Sequence, residues 1–193
     1  MSIKGKAYIM GAYEHPLRDA PDKSTPQLHA ECAKGALEDA GLTKDDIDGY
    51  FCAGDAPGFG AMSMIDYMVQ RNVRHMDSTE TGGSSYLLHV GHAAQAIAEG
   101  KCSVALITLA GRPRQNKFFG GGAGKPGQLT DGPPEAGYEN IYGGSTHNTY
   151  GMCAMRHMYE YGTTSEQLAW IKVAASHHAQ YNPNAFLLSL IHI

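Results

Sequence analysis

The stretch with the most chemical content is Ser78 to Val90, S-T-E-T-G-G-S-S-Y-L-L-H-V. An extended segment passes through Gly82 and Gly83 into a helix of small residues that opens at Ser84 and Ser85. The first amides of a helix have no partner inside it and together carry roughly half a positive charge. Aimed past Gly83, they form a ready site for an oxygen that gains negative charge during a reaction. The same letters also fit a plainer role, in which Gly82 and Gly83 make the turn and Ser84 or Ser85 caps the helix.

Other motifs carry less. G-G-G-A-G-K at Gly120–Lys125 invites a phosphate loop, but Phe119 stands where the first glycine belongs and Pro126 where a Ser or Thr must hold magnesium. Pro126 also disfavours a helix continuing from Lys125. Gly58 and Gly60 form G-x-G with Ser63 in place of the third glycine, which leaves only a turn. His89 with His92, and His177 with His178, lack an acidic or thiol ligand in the same local pattern and read as packing or surface groups. Cys32, Cys52, Cys102 and Cys153 include no C-x-x-C pair, which fits reduced, packed thiols and no metal. Met152, Met155, Met158, Tyr159 and Tyr161 recur at helical spacing, the pattern of core or interface packing.

The elements that must position these groups are legible in the 193 residues. A chain of this length buries enough surface to hold itself together without a disulfide or metal. A formal charge of -4 excludes a broad basic footprint for nucleic acid or acidic lipid and points to a small-molecule or protein partner. The longest strongly apolar run, Val104 to Ala110, is far short of the roughly 18 to 20 residues of a membrane span, and the N-terminus carries no signal core, so a cytoplasmic protein is expected.

Lys6 to Ala12 reads as a buried first strand. Thr25 as N-cap with Pro26 after it opens an amphipathic helix on Leu28, Cys32, Ala33, Ala36, Leu37 and Ala40 that Gly41 stops. Thr43 and Asp46 cap a short turn before a strand at Ile47–Ala53; a helix at Ala61–Val69 and an extended segment at Val73–Thr79 follow. Helix Ser84–Glu99, with Leu87, Leu88, Gly91, Ala94, Ala96 and Ile97 on broad buried faces, leads through Gly100 to the continuously apolar Cys102–Ala110, a strand covered on both sides. Strand, helix and strand in that order predict a right-handed parallel crossover and an α/β fold. From Gly111 to Gly144 the pattern dissolves into Gly, Pro and Asn, a functional excursion in length. Helices are predicted at Ser145–Tyr161 and, behind the capping box T-S-E-Q, from Thr164 to about Tyr181. Phe186–Ile193 reads as an adapter-derived tail, because its last six residues match a translated sequencing-transposon end; a native apolar strand is the alternative. On the first reading the chain is the front part of a longer protein.

Several of these segments together resemble the N-terminal half of the thiolase superfamily, close to its sterol-carrier-protein thiolase branch of lipid-transfer-protein and acetyl-CoA acetyltransferase-like members. They are Y-I-M-G-A at Tyr8–Ala12, A-L-E-D-A-G-L-T-K-D-D-I-D at Ala36–Asp48, A-A-Q-A-I-A-E-G at Ala93–Gly100, V-A-L-I at Val104–Ile107, Y-G-M-C-A-M-R-H-M-Y-E-Y-G-T-T at Tyr150–Thr164 and N-P-N-A at Asn182–Ala185. The resemblance implies a thiolase-like α/β half, a mixed sheet with a buried central helix over residues 1–110, followed over 111–185 by part of the loop domain. It implies acyl-CoA as substrate, coenzyme A entering only as part of that substrate with no bound cofactor, and a homodimer in which Val73–Thr79 meets its counterpart. Thiolases place a nucleophilic cysteine at the start of the central helix, and counting back from A-A-Q-A-I puts that position on Gly83. The nucleophile is absent. Thiolase-like proteins without it include lyases that make or break carbon–carbon bonds in CoA thioesters by aldol-type chemistry, some with a zinc-ribbon and OB-fold partner. The expectation is therefore an oxyanion site at Gly82, Gly83, Ser84 and Ser85, with acid/base groups supplied by further chain and this segment inactive alone. A conventional acyltransferase and a non-catalytic acyl-CoA-binding scaffold are the competing readings.

Overall fold

The computed structural model describes residues 3–17, 19–53, 60–111, 138, 142 and 146–185. The chain divides into two compact units, Met1–Arg112 and Pro113–Ile193. The G-G-G-A-G-K motif, Gly58 and the tail 186–193 lie outside the described residues.

The first unit is an α/β layer built on three short strands, β1 (Gly49–Phe51), β2 (His75–Asp77) and β3 (Ala105–Ile107). They lie in the order β2-β1-β3, and both pairings are parallel, Tyr50 facing Met76 on one side and Leu106 on the other. A parallel crossover is present: helix α3 (Ser85–Ala98) carries the chain from β2 across β1 to β3. The mixed sheet is not seen, since the described strands pair only in parallel.

Alternation along β1 explains why both faces are covered. Tyr50 points into a cluster with Ala33, Ile47, Cys52, Ala61, Met64 and Leu106, on the side of α1 (Thr25–Ala40) and α2 (Ala61–Tyr67). Phe51 points the other way, into Ala93, Ala96 and Cys102 beneath α3. A strand buried on both faces reads as a continuous apolar run, as Val104–Ala110 does. One polar link crosses the first cluster: Thr108 Oγ1 is hydrogen-bonded to His29 Nδ1 of α1 at 2.8 Å and to the Tyr50 hydroxyl at 2.7 Å. At the opposite end of the strands Asp48 Oδ1 accepts from the amides of Ser103 and Val104 at 2.7 and 2.8 Å, while its other oxygen pairs with Arg74 at 3.0 Å. Burial raises the Asp48 pKa, but these donors outweigh it and hold the carboxyl below its ordinary range.

Local signals set the helix ends. The cap of α1 is Ser24, whose hydroxyl accepts from Gln27 N at 3.2 Å, so Thr25 is the first helical residue rather than the cap. Gly41 ends α1 in the left-handed region at φ 69°. Asp46 Oδ2 accepts from both Thr43 N and Thr43 Oγ1, as the short cap predicted. Helix α2 stops at Tyr67, short of the predicted Val69, whose φ of 54° cannot continue a helix.

Two expectations fail for the same reason. Lys6–Ala12 forms no strand; Tyr8, Ile9 and Met10 are 77%, 78% and 68% exposed. The segment has a strand's composition, but it pairs with no described strand, and its C-terminal end lies on α1 instead. Ala12 N donates to Asp39 Oδ2 at 2.9 Å, and Gly11 sits so close to α1 that a Cβ there would lie 2.4 Å from Ala36 O. Helix α3, apolar on all sides, is buried on one side only. Ser85, His89, Ala93 and Ala96 face the sheet, whereas Leu87 is 78% exposed and Leu88 and Val90 are partly open. A helix apolar all round suits burial on both sides, and no described element covers the second.

In the second unit, α4 (Thr146–Tyr161) ends at Gly162 and α5 (Ser165–Ala179) follows. The capping box is formed: Gln167 N donates to Thr164 Oγ1 and Thr164 N to Gln167 Oε1, at 3.2 and 2.9 Å. Met152, Met155, Tyr159 and Tyr161 of α4 are exposed, so the expected packing of that stripe is not made among the described residues.

Candidate functional site

The residues singled out by sequence come together at the entrance to α3, where they play different parts. Gly82 turns the chain at φ 73°, a conformation that side chains with a Cβ adopt only at a cost of roughly 1–2 kcal/mol. Its amide is already engaged, donating to Glu80 Oε1 at 2.6 Å. Ser85 is fully buried. Its hydroxyl accepts from Thr81 N at 2.8 Å and lies 2.7 Å from Gly82 O and 3.1 Å from Glu80 Oε1. Gly82 and Ser85 thus build the turn. The N-cap, Ser84, makes no side-chain cap bond; its hydroxyl turns back to Thr81 O at 3.2 Å.

Gly83 and Ser84 remain as exposed residues of this mouth. A Cβ built on Gly83 meets nothing within 4 Å. Packing therefore does not exclude a side chain at position 83. Chemically, the mouth offers exposed Gly83 and Ser84 at an α-helix N-terminus, with the Glu80 carboxylate beside them on Gly82 N and no thiol.

Sequence reasoning missed the groups that hold this turn from behind. Thr79 donates through N and Oγ1 to Asp77 Oδ1, at 2.8 and 2.7 Å, and its carbonyl accepts from His89 Nε2 at 3.0 Å. The second Asp77 oxygen accepts from His92 Nδ1 at 2.5 Å. His89 and His92 therefore do not converge on one point, and among the described residues no three His, Cys, Asp or Glu are placed to hold a metal ion. His89 and His92 were visible as an i, i+3 pair, but nothing local to the helix reveals that their partners lie ten and fifteen residues upstream. Cys52 and Cys102 are buried and Cys153 is exposed on α4; burial pushes the thiols of Cys32 and Cys102 up, the wrong direction for a nucleophile.

Burial works against the Asp77 carboxylate, yet the hydrogen bonds from Thr79 and His92 bring its pKa down to about 2, below the 3.8 of a free aspartate. A carboxyl whose folded pKa is the lower one adds stability above its unfolded pKa and loses it as pH falls through the folded one. Asp77 is therefore expected to add on the order of 1 kcal/mol above about pH 4, fading toward pH 2. Urea titrations between pH 2 and 6 check this: the acid limb of Asp77→Asn should be flatter than that of the parent.

No family model matches the chain. It is 30% identical over 193 residues to the steroid side-chain-cleaving aldolase of Thermomonospora curvata, an alignment covering 95% of this chain and 47% of that protein. It is 28% identical over 199 residues to the 17-hydroxy-3-oxo-4-pregnene-20-carboxyl-CoA lyase of Mycobacterium tuberculosis, covering 95% and 48%. With an acetyl-CoA acetyltransferase of Methanothermobacter thermautotrophicus the identity is 27% over 188 residues, covering 92% and 46%. A solved Ltp2-ChsH2(DUF35) aldolase matches with a TM-score of 0.73 and 26% identity over 92% of this chain and 44% of that one. The chain spans about half the length of the curated relatives it matches. Along nearly all its residues it is thus similar in sequence to an aldolase, a CoA lyase and an acetyltransferase, and in fold to a solved aldolase.

Proposed function

We propose that the chain is the N-terminal half of a thiolase-like enzyme that makes or breaks carbon–carbon bonds in acyl-CoA thioesters by aldol chemistry, without a cysteine nucleophile. The observation that carries this reading is Gly83: the position that the resemblance matches to the thiolase cysteine has no side chain and open space around it, in a chain similar to proteins named as aldolase and CoA lyase.

In the cleavage direction the substrate is a β-hydroxyacyl thioester. A base takes the hydroxyl proton, the Cα–Cβ bond breaks, and the β-carbon becomes a ketone or aldehyde. The bonding pair passes onto the thioester oxygen as an enolate, which is then protonated at Cα to give the shortened acyl-CoA. Donors placed where that oxygen gains charge lower the barrier, by about 3–4 kcal/mol for one well-placed donor. The amides of Gly83 and Ser84 take that part. Gly82 and Ser85, whose polar groups are committed within the turn, position them. The acid/base pair comes from further chain, and this segment alone is inactive. Coenzyme A enters with the substrate, and no resident cofactor is invoked.

The intact enzyme is a homodimer. Among the described strands β2 is at an edge of the sheet, and Met76 on it is half exposed, which supports the proposed meeting of Val73–Thr79 with its counterpart. A zinc-ribbon and OB-fold protein is the proposed second partner, a reading supported by the two-component name of the matching aldolase structure.

The test is turnover of a β-hydroxyacyl-CoA by the intact protein, with mass spectrometry of the enzyme during the reaction. Release of a ketone or aldehyde together with acyl-CoA, with no acyl adduct on residues 1–185, is the expected result. A covalent acyl-enzyme on this segment overturns the aldol reading in favour of the acyltransferase one, to which the acetyltransferase relative lends support.

A further inference from the structure

We propose that His89 and His92 of α3 form a clamp on Asp77–Thr79 that sets the position of the Gly83 and Ser84 amides. The inference rests on the reading of those amides as the oxyanion site and adds to it the residues that hold them in place.

Thr79 is held by all three of its polar groups. Asp77 Oδ1 accepts from its amide and its hydroxyl, and its carbonyl oxygen accepts from His89 Nε2. A carbonyl oxygen can only accept, so His89 donates to it from a protonated Nε2, and the other ring nitrogen is Nδ1. That Nδ1 is buried and has no hydrogen-bond partner among the described residues. A buried polar atom without a partner costs about 1–3 kcal/mol. Neutral packing at position 89 would avoid the cost; what the histidine adds is the bond to Thr79. The ring is held for it, edge-on to Tyr86 at 5.8 Å and 6.0 Å from Phe51.

One turn further along, His92 takes the second oxygen of Asp77, the last residue of β2. The stretch Asp77–Thr79 is thereby held at its carboxylate and its carbonyl by the helix that it leads into. Only Glu80 to Ser84 lie between the clamped residue and the first turn of α3. The span closes on itself through Glu80 Oε1 on Gly82 N and Ser85 Oγ under Thr81 N. A rigid support of this kind decides whether donors sit within the fraction of an ångström that oxyanion binding needs. His89 and His92 are positioning residues, since His89 acts through Thr79 and His92 through Asp77.

The test uses the 193-residue chain and amide NMR. In His89→Leu and Asp77→Ala the hydrogen-exchange rates of Thr79, Gly82 and Ser85 should rise at least tenfold and the Gly83 and Ser84 resonances should shift. Amides of β1 and β3, such as Tyr50 and Leu106, should change less than twofold. The conservative variants His89→Gln, which keeps a donor, and Asp77→Asn, which keeps the acceptor for Thr79, should restore most of the protection. Unchanged exchange at Gly82 and Ser85 in His89→Leu, or an equal rise at every amide in the conservative variants, overturns the clamp. In the intact enzyme Asp77→Ala should lower kcat at least tenfold with KM nearly unchanged. A mouth that loosens by NMR while kcat stays the same upholds the clamp and removes the oxyanion role from Gly83 and Ser84, so the two readings fail separately.

Discussion

Replacing Gly11 with valine is expected to destabilise the Met1–Arg112 unit by about 3 kcal/mol, the upper end of overpacking effects. The reason is what lies opposite. A Cβ at position 11 would stand 2.4 Å from Ala36 O, 2.8 Å from Ala40 N and 2.9 Å from Ala40 Cβ, and two of these are backbone atoms of α1 that cannot move without displacing the helix. Gly35 is the instructive contrast. A Cβ there meets the Tyr13 ring at 2.4 to 2.6 Å, but Tyr13 is 45% exposed and can swing outward, so Gly35→Ala should cost about 1 kcal/mol. Urea unfolding followed by far-UV circular dichroism separates the two; the single tryptophan, Trp170, lies on α5 in the other unit and is a poor probe. A Gly11→Val midpoint equal to that of the parent would mean that the N-terminal segment does not lie on α1.

Phe51→Ala is expected to cost about 3–5 kcal/mol, the range for emptying a buried aromatic site. Phe51 is completely buried on the α3 side of the sheet, opposite Ile107 in register and flanked by Ala93, Ala96 and Cys102. The buried neighbours Ala93, Ala96 and Cys102 are small and cannot reach across to fill the space. His75 and His89 would also lose the ring they stand against, at 5.7 and 6.0 Å. Thiol labelling gives an independent measure. Cys102 is 1% exposed, and its reaction with an alkylating reagent should speed up by two orders of magnitude or more as α3 opens more often from the sheet. Phe51→Leu, which keeps most of the volume, should recover most of the stability. Equal effects of the two variants would place the loss in the unfolded state rather than in the core.

How much of this was legible beforehand depended on the reach of each interaction. The capping boxes at Thr43 and Thr164 and the glycine end of α1 join residues close in sequence, and the structure has them; of the predicted strand Cys102–Ala110 it keeps Ala105–Ile107, with Leu106 buried and Leu109 58% exposed. The strands are three residues each rather than the seven to nine of the apolar runs, because ladder bonds require a neighbour in register and only part of each run has one. Lys6–Ala12 has the composition of a strand and no partner, so composition alone misassigned it. The faces of α3 were misjudged in the same way: Leu87 and Ser85 are equally compatible with burial by spacing, and the sheet took Ser85.

At the mouth of α3 the division is sharper. The amino-acid order alone determined that a glycine turn enters a small-residue helix there and that position 83 holds no nucleophile, since both follow from residue type and nearest neighbours. Tertiary structure set Glu80 against the Gly82 amide and drew Ser85 inside, and it decided that His89 and His92 hold Thr79 and Asp77 rather than each other. The physical reason is that a hydrogen bond needs its partners within about 3 Å at a defined angle. For residues ten or fifteen positions apart, that distance is set by how α3 packs on the sheet, which no local pattern encodes.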